Sequence, residues 1–234
     1  MNSEIFYQTY LFLSKDKIII SVIQNKDSKK IYEEKILIDN TSNQVKTEKL
    51  YSFLNDHVYK IEKQIKHFVE KINIILKTDE FFSIYLSVKN NNNGNLITPS
   101  SLTYSLQEAK DQCLKTLGKN RIIHMLVDKY KIDNQSYFSL PENLKCEFFY
   151  LDLRFICISI DLIKNLEEIL KKFQISINQV VSANYIESLF KDSEEDLFIK
   201  TRSVVEGFNE NEVNFHKKTL INQGFFEKFF NFFS

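Results

Sequence analysis

The stretch Phe148 to Ile160, FFYLDLRFICISI, constrains the fold more than any other. Phe149, Leu151, Leu153, Phe155, Cys157 and Ser159 fall on one face. Tyr150, Asp152 and Arg154 fall on the other, which turns apolar at Ile156, Ile158 and Ile160. A period of two held over that length is a half-buried antiparallel strand, so the chain must contain a sheet with one covered face. Asp161 then stands where a helix N-cap belongs. Leu162, Leu166, Ile169, Leu170 and Phe173 follow at helical spacing, and 174–183 (QISINQVVSA) returns as a strand. Upstream, Arg121 to Ile132 alternates as a second strand. A helix between strands in this order buries its stripe by lying across a sheet, which gives a mixed α/β (α+β) class.

The remainder of the chain repeats this alternation of strand and helix. Phe6 to Leu13, Lys17 to Gln24 and Lys30 to Ile38 read as three antiparallel strands joined by polar turns. Lys46 to Leu76 reads as one long helix with Leu50, Phe53, Leu54, Val58, Ile61, Ile65, Phe68, Val69 and Ile72 on its buried side. Phe81 to Lys89 is a further strand. Thr98 as N-cap, Pro99 at the first helical position and Gly118 beyond the end punctuate another helix, whose stripe is Leu102, Leu106, Ala109, Cys113 and Leu117.

Chemistry-bearing motifs are sparse. Lys plus Arg and Asp plus Glu both total 31, for a formal net charge of zero. Such a balance argues against nucleic acid as a partner, since phosphate binding needs excess cations on one face. Cys113, Cys146 and Cys157 lack paired spacing and read as reduced thiols. His57, His67 and His124 have no ligand cluster at metal spacing, and no nucleophile, base or acid pair stands out. The reading is therefore a non-enzyme without cofactor or metal. Nor is there an apolar run of transmembrane length, or a signal-peptide profile at the N-terminus.

The C-terminus carries the strongest pattern after the sheet. Phe225, Phe226, Phe229, Phe230, Phe232 and Phe233 fall within an arc of about 160° on a helical wheel, with Ile221 at its edge. Glu227, Lys228 and Asn231 lie outside that arc. A helix this short is marginal alone in water and folds when its aromatic face meets an apolar surface, a bilayer interface above all. The expected lipid contacts are Ile221, Phe225, Phe226, Lys228, Phe229, Phe230, Phe232 and Phe233, and with only Lys217, Lys218 and Lys228 as nearby cations the hydrophobic term should dominate. The alternative is that these rings pack on the chain's own sheet or on a second subunit.

Several segments together resemble FtsA, the actin-like bacterial cell-division protein. They are Ile122-Ile123-His124, Tyr130, Ile132-Asp133-Asn134-Gln135, Asn165-Leu166-Glu167 and the run from Ser182 to Leu189. Ile97-Thr98 and Leu106-Gln107-Glu108-Ala109-Lys110 extend the match upstream. The resemblance implies a partial actin-like, ribonuclease-H-like first lobe over 1–78, of three strands and a long helix. It further implies an inserted strand-helix-strand-strand subdomain over 79–190, a linker or remnant strands over 191–219, and an amphipathic membrane helix over 220–234, with no second lobe. The family's phosphate loops require glycine for close backbone approach. Here the first turn reads Leu13-Ser14-Lys15-Asp16-Lys17, and 191–211 contains only Gly207, so nucleotide binding is not expected. The resemblance implies a division adaptor on the cytoplasmic face of the inner membrane, at the division site. Its partners would be lipid, divisome proteins including FtsZ, and other copies of itself. The alternative is a pilus or competence assembly protein of the same superfamily, which binds the cytoplasmic tail of an inner-membrane partner.

Overall fold

A computed structural model describes residues 6–38, 43–133, 135–141 and 144–213. Strands β1 (Tyr7–Leu13), β2 (Lys17–Gln24) and β3 (Lys30–Leu37) form an antiparallel meander. Helix α1 (Asn43–Ile65) then crosses to β4 (Lys71–Leu76), which lies parallel to β1. Strands β5 (Phe82–Asn91), β6 (Asn120–Ile132), β7 (Gln135–Tyr137) and β8 (Phe148–Ser159) build a second, antiparallel sheet, with α2 (Pro99–Thr116) between β5 and β6 in sequence. The chain returns through α3 (Ile160–Lys171) to β9 (Ser176–Ser182), parallel to β4, and continues as α4 (Ala183–Leu189) and α5 (Leu197–Val205). The sheets have the orders β3-β2-β1-β4-β9 and β5-β8-β6-β7. The mixed α+β class is as expected.

The first sheet has five strands where three were expected, because the long helix ends early. Lys66 takes a left-handed conformation at φ 59°, and Val69 N–H donates to Glu62 Oε1 at 3.0 Å as the chain turns back. The next residues, KINIIL, are buried from Ile72 to Leu76. A strand covered on both faces reads as a continuous apolar run, and that run also satisfies helical spacing. Ile72, Ile74 and Leu76 meet α1 and α3, whereas Ile75 faces α4 and α5 with Tyr10, Phe12, Val181 and Phe198. Helices thus cover both faces of the first sheet.

Three further expectations are corrected. The strand expected at 174–183 forms as β9, but it joins the first sheet; the second sheet ends at Ser159, well before residue 190. Ser159, not Asp161, caps α3, its hydroxyl accepting from Asp161 N–H at 3.2 Å. Leu197-Phe198-Ile199 and Ser203-Val204-Val205, read as linker or strands, lie in the single helix α5, capped by Asp196. Phe198 and Val204 are buried there, so this segment completes the core on one face of the first sheet. The second core sits between α2 and the sheet face bearing Phe149, Leu151, Leu153, Phe155 and Cys157, as the alternation required. Thr98 caps α2 in a reciprocal arrangement with Ser101.

Candidate functional site

Ligands of open α/β sheets gather at the carboxyl ends of the parallel strands. In the first sheet that edge is formed by Leu13, Leu76 and Ser182 and the turns that follow them. The β1–β2 turn is closed on itself. Ser14 N–H donates to Lys17 O at 3.0 Å, Lys17 N–H donates to Ser14 Oγ at 3.1 Å, and Ser14 Oγ donates to Asp16 Oδ1 at 2.6 Å. That last bond is the main cause holding the exposed Asp16 carboxyl below its usual range. Lys15 pairs with Asp79, and Lys77 pairs with Glu187 at 2.7 Å. A phosphate cradle needs successive backbone N–H groups aimed outward. Here the amides of Ser14 and Lys17 already serve the turn.

A buried polar joint connects the two sheets. Residues 211–213 run antiparallel to β6: Val127 N–H donates to Asn211 O at 2.9 Å and Val213 N–H to Met125 O at 2.8 Å. Glu212 thereby reaches His124, with Oε1 at 2.7 Å from Nδ1, and its Oε2 accepts from Tyr185 OH at 2.9 Å. Ser182 N–H donates to His124 Nε2 at 3.1 Å, and Asn209 Nδ2 donates to Tyr185 OH at 2.8 Å. Because Nε2 accepts, the proton of the neutral imidazole sits on Nδ1, facing the carboxylate. Burial, then the nearby Glu212 charge, pushes the Tyr185 hydroxyl pKa upward. His124 is buried with both ring nitrogens engaged, in the core as its place in an alternating strand suggested. Its partner Glu212 was missed: it lies 88 residues away in a charged, Asn-rich stretch.

The third feature is an open strand edge. Among the described residues the outer strands of the two sheets are β3 and β9, and β5 and β7. The longest antiparallel ones, β3 and β5, differ. β3 carries Lys30, Glu33, Glu34 and Lys35, and its pairing with β2 is interrupted by a register shift at Val22/Ile23; charges and bulges are the usual defences of an edge. β5 runs ten residues with no register shift, no proline and one charge, Lys89. Ile84, Leu86 and Val88 point into the second core and remain half-buried. Asn92 N–H donates to Glu147 O at 2.7 Å, in register with the β5–β8 pairs, so even-numbered amides face β8 and odd-numbered ones face outward. Ser83, Tyr85, Ser87 and Lys89 therefore present backbone groups to any added strand.

Three antiparallel strands followed by two parallel ones in the order β3-β2-β1-β4-β9, with a second sheet inserted between β4 and β9, define an actin-like lobe. No family model matches the chain, and no curated protein does. Solved structures are similar to it. The cytoplasmic domain of EpsL, an inner membrane component of the type II secretion system of Vibrio cholerae, is 9% identical over 77% of this chain and 59% of that one, with a TM-score of 0.38. The PilM–PilN type IV pilus biogenesis complex is 6% identical over 78% and 49%, at 0.49. A Bacteroides thetaiotaomicron protein with an actin-like ATPase fold and unknown function is 12% identical over 78% and 55%, at 0.35. The chain spans only 49% to 59% of these structures. At such identities the likeness concerns fold alone, and the class rests on the strand order. None of the three is described as a division protein, and the FtsA identity suggested by the motifs is not supported by them.

The expected lipid contacts Ile221, Phe225, Phe226, Lys228, Phe229, Phe230, Phe232 and Phe233 lie outside the described residues. Among the described residues no helix is long and apolar enough to cross a membrane, and no group of three or more His, Cys, Asp or Glu could hold a metal ion.

Proposed function

We propose that this chain is a non-catalytic scaffold of the actin-like class. It acts on the cytoplasmic face of an inner membrane and binds a short extended segment of an inner-membrane assembly protein, as pilus and secretion systems require. The observation that carries this reading is the undefended edge of β5. A strand laid along Ser83–Lys89 would satisfy the outward amides and complete the cover over Ile84, Leu86 and Val88. The closed β1–β2 turn supports work without nucleotide, and the six-phenylalanine tail supports attachment to lipid.

A photo-cross-linking residue placed at Ser87 in the native host tests the partner. The expected product joins this chain to the cytoplasmic segment of an inner-membrane protein of an assembly system. Labelling no stronger than at a control position on β3, Glu34, would remove the reading. A second reading, an FtsA-like division adaptor, is favoured by the aromatic tail, and cross-links to divisome proteins or FtsZ would select it. The division reading requires lipid binding, and the scaffold proposal includes it through the tail. The full chain should co-sediment with phosphatidylcholine vesicles and cease to do so when 220–234 are deleted; unchanged sedimentation would end the membrane part of the proposal.

A further inference from the structure

Helices α1 and α3 end side by side, at the end of the first sheet opposite the β1–β2 turn. Each exit contains a left-handed residue, Lys66 at φ 59° and Gln174 at φ 61°. Each also joins lysine to phenylalanine: Lys66-His67-Phe68 and Lys171-Lys172-Phe173. Ser176 N–H donates to Glu70 O at 2.9 Å, so the turns are held together. Phe68 and Phe173 line one groove of about 420 Å³ with Tyr59 and Val58. Phe68 is 82% exposed, an unusual position for a phenylalanine on a folded body. The Tyr51 ring lies 5.3 Å from Phe173, and Lys172 Nζ sits 5.1 Å from the Tyr51 centroid.

Glu62 and Glu70 line the groove itself, and lysines surround it. Lys63, Lys66, Lys171 and Lys172 are exposed at these helix ends, against the carboxylates of Glu62, Glu70 and Glu168. Glu62 already accepts from Val69 N–H. Exposed aromatic rings set among lysines match the headgroup zone of an anionic bilayer, where rings enter the interface and ammonium groups meet phosphates. We infer that this end of the lobe is a second lipid-contacting surface, selective for anionic membranes. The inference rests on the membrane reading above and adds to the modest charge of the tail. The tail offers apolar rings with Lys217, Lys218 and Lys228 as its nearby cations, and the folded body adds further lysines. Stable attachment takes two such signals.

The test compares vesicles of phosphatidylcholine with vesicles in which about one lipid in four is phosphatidylglycerol. The full chain should bind the anionic vesicles more tightly, and the difference should vanish at high salt. Lys63→Glu with Lys172→Glu should weaken binding to anionic vesicles by roughly tenfold or more and leave neutral vesicles unaffected. Lys63→Gln with Lys172→Gln, which keeps the size and drops the charge, should fall between. Phe68→Ser should weaken binding to both vesicle types. Equal affinity for the two vesicle types, or charge variants that bind anionic vesicles as the parent does, would overturn the inference. The tail reading fails separately, through a 220–234 deletion that still binds neutral vesicles.

Discussion

At the scale of single residues, the joint between the sheets is the most consequential arrangement. Glu212 is a buried carboxylate, its side chain 4% exposed, tolerated because His124 and Tyr185 both donate to it. Removing it strands two buried donors. Glu212→Ala should therefore cost about 1–3 kcal/mol in urea unfolding, while Asn25→Ala, at the exit of β2, should cost less. The sequence shows His124 in a strand with no partner in view, and the structure places it in β6 bonded to Glu212 and Ser182. It could not show the partner, because only tertiary folding brings 211–213 alongside β6. Alkaline pH offers a second residue-scale test. Burial first, then the neighbouring Cys113, pushes the Cys157 thiol from 9.0 up to about 12. Folding thus disfavours the thiolate. Stability is unaffected below the unfolded value and is lost as pH rises from about 9 towards 12. Cys157→Ala should flatten that loss, measured as the urea midpoint at pH 7 and at pH 11. A parent midpoint that holds constant across this range would contradict the assignment.

At the scale of elements, what was legible depended on whether periodicity was ambiguous. β8 alternates too long to be anything but a strand, and α2 carries its own start and stop signals. Thr98→Ala should cost about 1 kcal/mol and Thr98→Asp much less, read from thermal unfolding. The α1–β4 region failed because Val69 and Ile72 continue the helical spacing of Ile61 and Ile65, while the break is a left-handed lysine and not a glycine. Backbone strain of that kind leaves no compositional mark. α5 was illegible for another reason: Phe198, Thr201 and Val204 are its buried residues, a stripe too short to rise above its charged surroundings. Its place on the first sheet is set by tertiary packing against Tyr10, whose ring lies 6.2 Å from that of Phe198.

At the scale of the whole molecule, the division of labour follows from which surfaces are finished. Helices cover both faces of the first sheet, the second sheet covers one face with α2, and the joint fixes one to the other. The actin-like class was implied by resemblance, but five strands rather than three make the first sheet, since β4 was read as helix and β9 as part of the inserted subdomain. Among the described residues, β5 offers a long edge with few defences, and the α1 and α3 exits offer an aromatic groove flanked by lysines. In the proposed function these surfaces take the partner and the lipid, whereas at the carboxyl edge the β1–β2 turn bonds to itself and Lys15 and Lys77 pair with Asp79 and Glu187. In the proposed function the actin-like lobe works without nucleotide. Calorimetric titration of the full chain with ATP and magnesium is the decisive measurement. No heat of binding is expected, and saturable binding with micromolar affinity would overturn the proposal.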